Sequence, residues 1–403
     1  MRARVAGWSA VVVAGLAAAW LGARALVARP GGAVGLDFRP VYDAAAAVLA
    51  GRSVYDVHNF VYPPPSALLA LPTQLVDRRT ALTGYIALEL VTYVLLLTVP
   101  ARVLVDGRRG WALAGGAVVV FGLSKTALNV TYLANASVLV ALLGLVVVLA
   151  WSRGRWGVGC AVWALALVVK PLLAPLLLIP LVAGRRREPA LAVGAAALAC
   201  AVALPFVAPL RALPAVARKV LGGSNLVGDL SFRNLSLVGL GRVHGLPGPV
   251  VALSRLAVLA LVVLLLVRVG RSGLLRPGLL RSGPVLSSSS SFAVVSTVSG
   301  LVLVGLFLAG SLAESHYLVA LLPAVYGSAA LGWRATGWRR PAVLVAVAVT
   351  TACLAYRPGY FGRRLTAGTD VQARLVLAEL ALLVAASLAL HAATARGDGS
   401  RLR

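Results

Sequence analysis

Acidic residues are scarce in this sequence. Of 403 residues only 12 are Asp or Glu, against 38 Lys and Arg, for a formal charge of +26. Long polar stretches are missing too, so no segment has the composition of a separate soluble domain. CxxC pairs and metal-ligand spacings are absent. The three cysteines, Cys160, Cys200 and Cys353, lie in or beside apolar runs and read as inert small hydrophobes. No Walker, HExxH or GxSxG motif occurs, which removes the sequence signatures of P-loop, zinc-protease and nucleophile-elbow chemistry. The positive charge does not read as nucleic-acid binding either. No basic stripe is interleaved with aromatics, and most Arg residues sit in short loops between apolar runs, where the positive-inside rule puts them.

What is present is apolar sequence, 60% of the chain. Runs of about 18 or more apolar residues recur from end to end, the mark of membrane-spanning helices. A β-barrel would show short alternating segments instead. The reading is a single all-α, polytopic integral membrane domain over residues 1–403, with about 10–12 transmembrane helices and the lipid bilayer as its first partner.

The basic start, Met1 to Arg4, puts the N-terminus in the cytoplasm, and the apolar part that follows is long enough for a retained first span over 5–28. A first extracytoplasmic loop follows at 29–62, with a short interfacial helix expected over 41–49. "YPPP" (62–65) breaks the chain, and 66–76 is too short to cross the hydrocarbon. Further spans are expected near 80–104, 111–128, 132–151 and 189–207. Between the last two, 157–184 is interrupted at Lys170-Pro171 and reads as two short helices. A second extracytoplasmic loop takes 208–248. Later spans fall near 249–270, 291–312, 316–333, 341–356 and 374–395, and 396–403 is a cytoplasmic tail. No internal repeat is evident, which argues against a transporter built from related halves.

Three of the 12 acidic residues, Asp37, Asp43 and Asp56, stand together in the first loop. Asp37, just past the first span, is placed to take a proton from a sugar hydroxyl as a general base; capping the following helix is the other role open to it. Asp43 and Asp56 read as helix and turn residues. Lys170, between apolar flanks, is an ionisable residue of the kind that is costly in a membrane and often functional; satisfying the carbonyls freed by Pro171 is its structural alternative. His316, in "SLAESHYLVALLP", is either a solvated helix-end residue or part of an outer cavity. In the second loop Arg218, Lys219 and Arg233 are candidate phosphate partners, and Asn225, Asn234 and Ser236 candidate sugar ligands.

"DFRPVYDAAAAVLAGRSVYDVHNFVYPPPSALLALP" resembles the first loop of the family 87 glycosyltransferases of the GT-C class, integral membrane enzymes of actinobacteria. The pattern is carried here by Asp37-Phe38, Tyr42, Gly51 to Asp56, and Tyr62-Pro63-Pro64. "LALVVKPLLAPLLLIPLV" resembles the family's Lys-Pro segment, "SLAESHYLVALLP" its late outer-loop motif, and "NVTYLANASVLV" and "LSFRNLSL" have counterparts, so the likeness runs from 36 to about 325.

The resemblance implies a polyprenyl-phosphate sugar donor, a cell-envelope glycan or glycolipid acceptor, no cofactor and no metal. It implies an active site on the extracytoplasmic side and transfer by single displacement with inversion. Asp37 matches the catalytic base, and Arg39, Tyr42, Tyr62, Lys170, Arg233, Asn234, His316 and Tyr317 are the substrate-binding positions it suggests. "DFRPVY", "KPLLAPLLLIPL" and "SLAESHY" look closer to the arabinofuranosyl branch, while His316 falls where mannosyl members carry a His. A flippase or transporter of lipid-linked sugars is the alternative from another class.

Overall fold

The computed structural model describes residues 2–28, 34–122, 124, 127, 131–208, 234–275, 288–310, 313, 315–355 and 369–399. Among them there are helices, turns and no strand. The protein is an all-α polytopic membrane protein. Among the described residues five helical stretches are long and apolar enough to cross a bilayer: Arg78–Leu104, Arg187–Val207, Gly248–Ser272, Ser289–Ala309 and Gln372–Thr394, the last two lying within longer helices. Shorter apolar helices lie beside them.

The chain begins with α1 (Arg2–Val27) and continues into α2 (Phe38–Leu49), which starts three residues before the expected interfacial helix. A 3-10 turn (Val54–Asp56), α3 (Pro64–Leu69) and a second 3-10 turn (Leu71–Leu75) complete the first loop. None of these three elements is long enough to span, and prolines break the last two. α4 (Arg78–Leu104) and α5 (Gly107–Phe121) follow, then α6 (Ser137–Ser152) and α7 (Trp156–Val169). At Lys170-Pro171 the helix stops. A 3-10 segment (Pro171–Leu177) and α8 (Leu178–Val182) carry the chain back, which matches the two short helices expected there. α9 (Arg187–Val207), α10 (Leu237–Val243) and α11 (Gly248–Ser272) come next. The chain closes with α12 (Ser288–Ala309), a 3-10 segment (Ser315–Leu321), α13 (Leu322–Arg334), α14 (Arg339–Leu354) and α15 (Thr369–Gly399).

α12 is the central pillar and is buried along nearly its whole described length. Small residues explain how neighbours come so close. A Cβ at Gly300 would collide with Ala324 on α13, and one at Gly305 with Val262 on α11. Between apolar helices in lipid, close backbone approach replaces the hydrophobic drive available in water. Ser296 and Thr297 return their hydroxyls to the carbonyls of Phe292 and Ala293, so these two side chains are satisfied within the pillar. By contrast α11 presents Leu253, Leu256, Leu264 and other large side chains outward, the surface of a lipid-facing helix.

Short connections make successive helices antiparallel. The start of α2, the start of α6, the break at Lys170 and the 3-10 segment at Ser315–Leu321 therefore fall at one end of the bundle.

Candidate active site

Two backbone hydrogen bonds begin the site. The amides of Gly35 and Asp37 donate to the carbonyls of Tyr132 (2.8 Å) and Leu133 (2.9 Å), tying the entry of α2 to the segment that leads into α6. Gly35 sits at φ +79°, a region that favours glycine, with the side chain of Leu82 directly against it. Phe38 locks the same corner. It is buried with Ala23, Ile86 and Ala134, and its ring lies 5.1 Å from that of Tyr85.

Asp37 stands at the N-terminal boundary of α2, yet its carboxylate makes no capping hydrogen bond. It reaches across 98 positions of sequence instead. Oδ2 accepts a 2.6 Å hydrogen bond from Nδ2 of Asn135. On the other side of that amide, Asn135 Oδ1 accepts from Lys170 Nζ at 2.9 Å, from the amide of Ser137 at 2.9 Å and from its hydroxyl at 2.7 Å. Lys170 Nζ also donates to Ser137 Oγ at 2.9 Å. The result is a chain, Lys170 to Asn135 to Asp37, in which one oriented amide links an ammonium to a carboxylate. Charge-assisted hydrogen bonds of this kind are about twice as strong as neutral ones.

Aromatic rings wall the cation. Lys170 Nζ lies 4.6 Å from the centre of the Tyr317 ring and 6.0 Å from that of Tyr62, within cation–π range. Tyr62 is buried, packs on Phe60 at 5.7 Å, and its carbonyl accepts from the hydroxyl of Tyr55 at 3.2 Å. Burial, with a smaller contribution from Cys200, pushes that Tyr55 hydroxyl up to about 12, so it stays protonated and holds Tyr62 in place. Tyr42 pins α2 from the other side. Its carbonyl accepts from Gln74 Nε2 at 2.8 Å, and its hydroxyl donates to the carbonyl of Val76.

Four of the residues singled out from sequence, Asp37, Lys170, Tyr62 and Tyr317, thus come from four separate segments into one cluster. The others are placed differently. Arg39 is exposed and pairs with Asp43 one turn on, at 3.5 Å, a contact of the weak surface kind. Asp56 is exposed, and the turn it was expected to cap is capped by Ser53. Asn234 is buried at a different junction. Its Oδ1 accepts from the amides of Ser236 and Ala313, and its carbonyl from Gln372, so it latches α10 to the ends of α12 and α15. Ser236 caps α10 through the amide of Gly239. Arg218, Lys219, Asn225 and Arg233, and the side chain of His316, lie outside the described residues. Among the described residues no three His, Cys, Asp or Glu side chains come together as a metal site would require.

The fold and this cluster define a polytopic membrane protein with an acid–amide–lysine chain at one end of its helices. A family model described as Glycosyltransferase family 87 matches residues 60–282, more than half of the chain, and the chain belongs to that family. The match includes Tyr62, Asn135 and Lys170. The sequence is 27% identical over 319 residues to an alpha-(1->3)-arabinofuranosyltransferase of Mycobacterium tuberculosis, covering 74% of this chain and 67% of that protein. It is also 27% identical over 308 residues to an alpha-(1->3)-arabinofuranosyltransferase of Corynebacterium glutamicum, covering 73% and 68%. A third of the same name, from Mycolicibacterium smegmatis, is 27% identical over 301 residues, with 71% and 64% covered. No solved structure matches the chain. The protein is a membrane glycosyltransferase.

Proposed function

We propose that this glycosyltransferase moves arabinofuranose from a polyprenyl-phosphate donor to a hydroxyl of a cell-envelope glycan or glycolipid, with Asp37 as general base. The observation that carries the reading is the state of Asp37: its carboxylate does not cap its own helix and is oriented by Asn135 at the end of a chain that begins at Lys170. The names of the relatives support arabinofuranose as the sugar. In the reaction the acceptor hydroxyl gives its proton to Asp37. Its oxygen bonds to the anomeric carbon from the face opposite the phosphate, and the bond from that carbon to the phosphate oxygen breaks, releasing polyprenyl phosphate with inversion. The leaving group is good without covalent help. Its negative charge is met by cations, for which Arg39 and, from the sequence, Arg233 and His316 are the candidates. The cluster faces away from the cytoplasm, because Met1 to Arg4 form the basic flank of α1. A cysteine at exposed His58 should react with an impermeant thiol reagent in intact cells; reaction only after lysis would reverse that orientation.

Purified protein in nanodiscs, given labelled farnesyl-phosphate arabinofuranose or the mannose equivalent with an envelope glycolipid extract, should transfer arabinose. Transfer of mannose alone would assign the sugar to the mannosyl alternative. Movement of the intact lipid donor across the bilayer without transfer would favour a flippase.

A further inference from the structure

Glu89 lies in the middle of α4, roughly 16 Å along the helix from Arg78 at 1.5 Å per residue. It is 1% exposed, and neither Oε1 nor Oε2 has a hydrogen-bond partner. The great majority of buried polar groups are paired. A carboxyl group offers several acceptor positions, and here none is filled from among the described residues. A lipid-facing stretch of sequence retains such a costly group where something else completes it.

The packing that builds the candidate site also directs Glu89 toward it. Ile86, one turn earlier, is packed with Phe38 and Ala134, the chain neighbours of Asp37 and Asn135. Tyr85, four residues before Glu89 and so on the same face, lies against Phe38. The charges of Asp37 and Lys170 both bear on Glu89, with opposite sign. Lys170 in turn stands beside the Tyr62 and Tyr317 rings. A site that holds both unfilled acceptors and aromatic faces offers something to each of the two surfaces of a sugar, its hydroxyls and its C–H face.

We propose that Glu89 binds hydroxyls of the transferred sugar and determines which sugar the site accepts. The inference rests on the reading that this site takes a lipid-linked sugar. Two oxygens on one carbon can accept from two neighbouring hydroxyls. A sugar lacking one of them would leave the buried carboxylate unpaired again, and sites of that kind reject the deficient analogue strongly. Asp37 then meets the acceptor while Glu89 holds the donor, so the two carboxylates divide the reaction between them.

Equilibrium binding without acceptor separates these roles. The probes are labelled farnesyl-phosphate arabinofuranose and its 2-deoxy and 3-deoxy analogues, measured on the purified full chain in nanodiscs. Wild type and Asp37→Asn should bind the parent donor alike. Glu89→Leu should weaken it at least about tenfold, the loss of the hydrogen bonds to one buried carboxyl group. At least one deoxy analogue should bind wild type poorly, and Glu89→Leu should weaken that analogue no further. Glu89→Leu exchanges an unpaired buried carboxyl for an apolar group of similar size, so it should melt no lower than wild type. Equal binding of the parent donor by Glu89→Leu and wild type would overturn the assignment. So would deoxy penalties that persist unchanged in Glu89→Leu, or a Glu89→Gln variant that binds normally but does not turn over. Failure of wild type to bind any arabinose donor would overturn the proposed function itself, and this inference with it.

Discussion

Asn135→Leu removes the centre of the Lys170–Asn135–Asp37 chain while keeping side-chain volume. Asp37 loses its 2.6 Å donor, and Lys170 loses an acceptor while keeping Ser137. The start of α6 also loses the oxygen that accepts from the Ser137 amide. A hydrogen bond to a charged group contributes about 1.5–3 kcal/mol, and the amide cap a further ~1 kcal/mol. If the Asp37 contact acts by orienting the base, its share alone is worth about a ten- to hundredfold fall in turnover. Transfer from labelled donor by purified protein measures the rate, and thermal melting in the same detergent measures the fold. Lys170→Met should cost turnover less than Asn135→Leu, because Asn135 still holds Asp37. The double variant should turn over no worse than Asn135→Leu by more than a few-fold, since the lysine reaches Asp37 through the amide. Asn135→Leu turning over within twofold of wild type would refute the orienting role. A double variant whose losses multiply would show that Lys170 acts on the reaction by a separate route.

Gly35→Ala puts a methyl against the Leu82 side chain at a positive φ, so it should destabilise by about 1–3 kcal/mol. It should also lower turnover, because Gly35 carries one of the two backbone bonds that seat Asp37; a melting temperature equal to wild type would contradict this. Asp77 caps α4, accepting from the Arg79 and Thr80 amides and the Thr80 hydroxyl. The Thr80 side-chain hydrogen bond, followed by the backbone ones, holds its carboxyl below the usual range. A depressed folded-state value means the cap contributes stability above the ordinary Asp range and loses it as pH falls through the folded value. The melting difference between wild type and Asp77→Ala should therefore be present at neutral pH and close as pH falls below the ordinary Asp range. A difference constant with pH would remove the charged cap from the account.

Much of the fold is legible in the residues because a bilayer allows few solutions. Unbroken apolar length gives the spans, and Pro171 and the prolines after Tyr62 give the breaks. Asp37 is legible for a related reason: a carboxylate is conspicuous where carboxylates are rare. Its structural alternative, a helix cap, is excluded only by the side chain's turning toward Asn135. Asn135, in "YLANASVLV", carries no such signal, because nothing local tells an asparagine that caps a helix from one that bridges two charges. Its partners are 98 and 35 positions away. Glu89 had a usable signal. A lone acid in "GYIALELVTYVLLL" falls under the same rule as Lys170, that ionisable groups inside spans are costly and often functional. Asn234 reads as a sugar ligand on composition, whereas the structure gives its carbonyl oxygens to the packing of three helix ends.

The central claim is that Asp37 takes the proton of the acceptor hydroxyl, and one comparison tests it most directly. Turnover of labelled donor with acceptor is measured for Asp37→Asn, Asp43→Asn and Asp56→Asn, each purified and checked for donor binding. Asp37→Asn keeps size and can still meet Asn135, but it cannot accept a proton. Its rate should fall about 10²–10⁴-fold with donor binding intact. Asp43→Asn loses only the exposed pair with Arg39, and Asp56→Asn an exposed turn residue, so both should keep most of the activity. Near wild-type turnover by Asp37→Asn, with either of the other two inactive, would contradict the account and move the base to the sensitive residue.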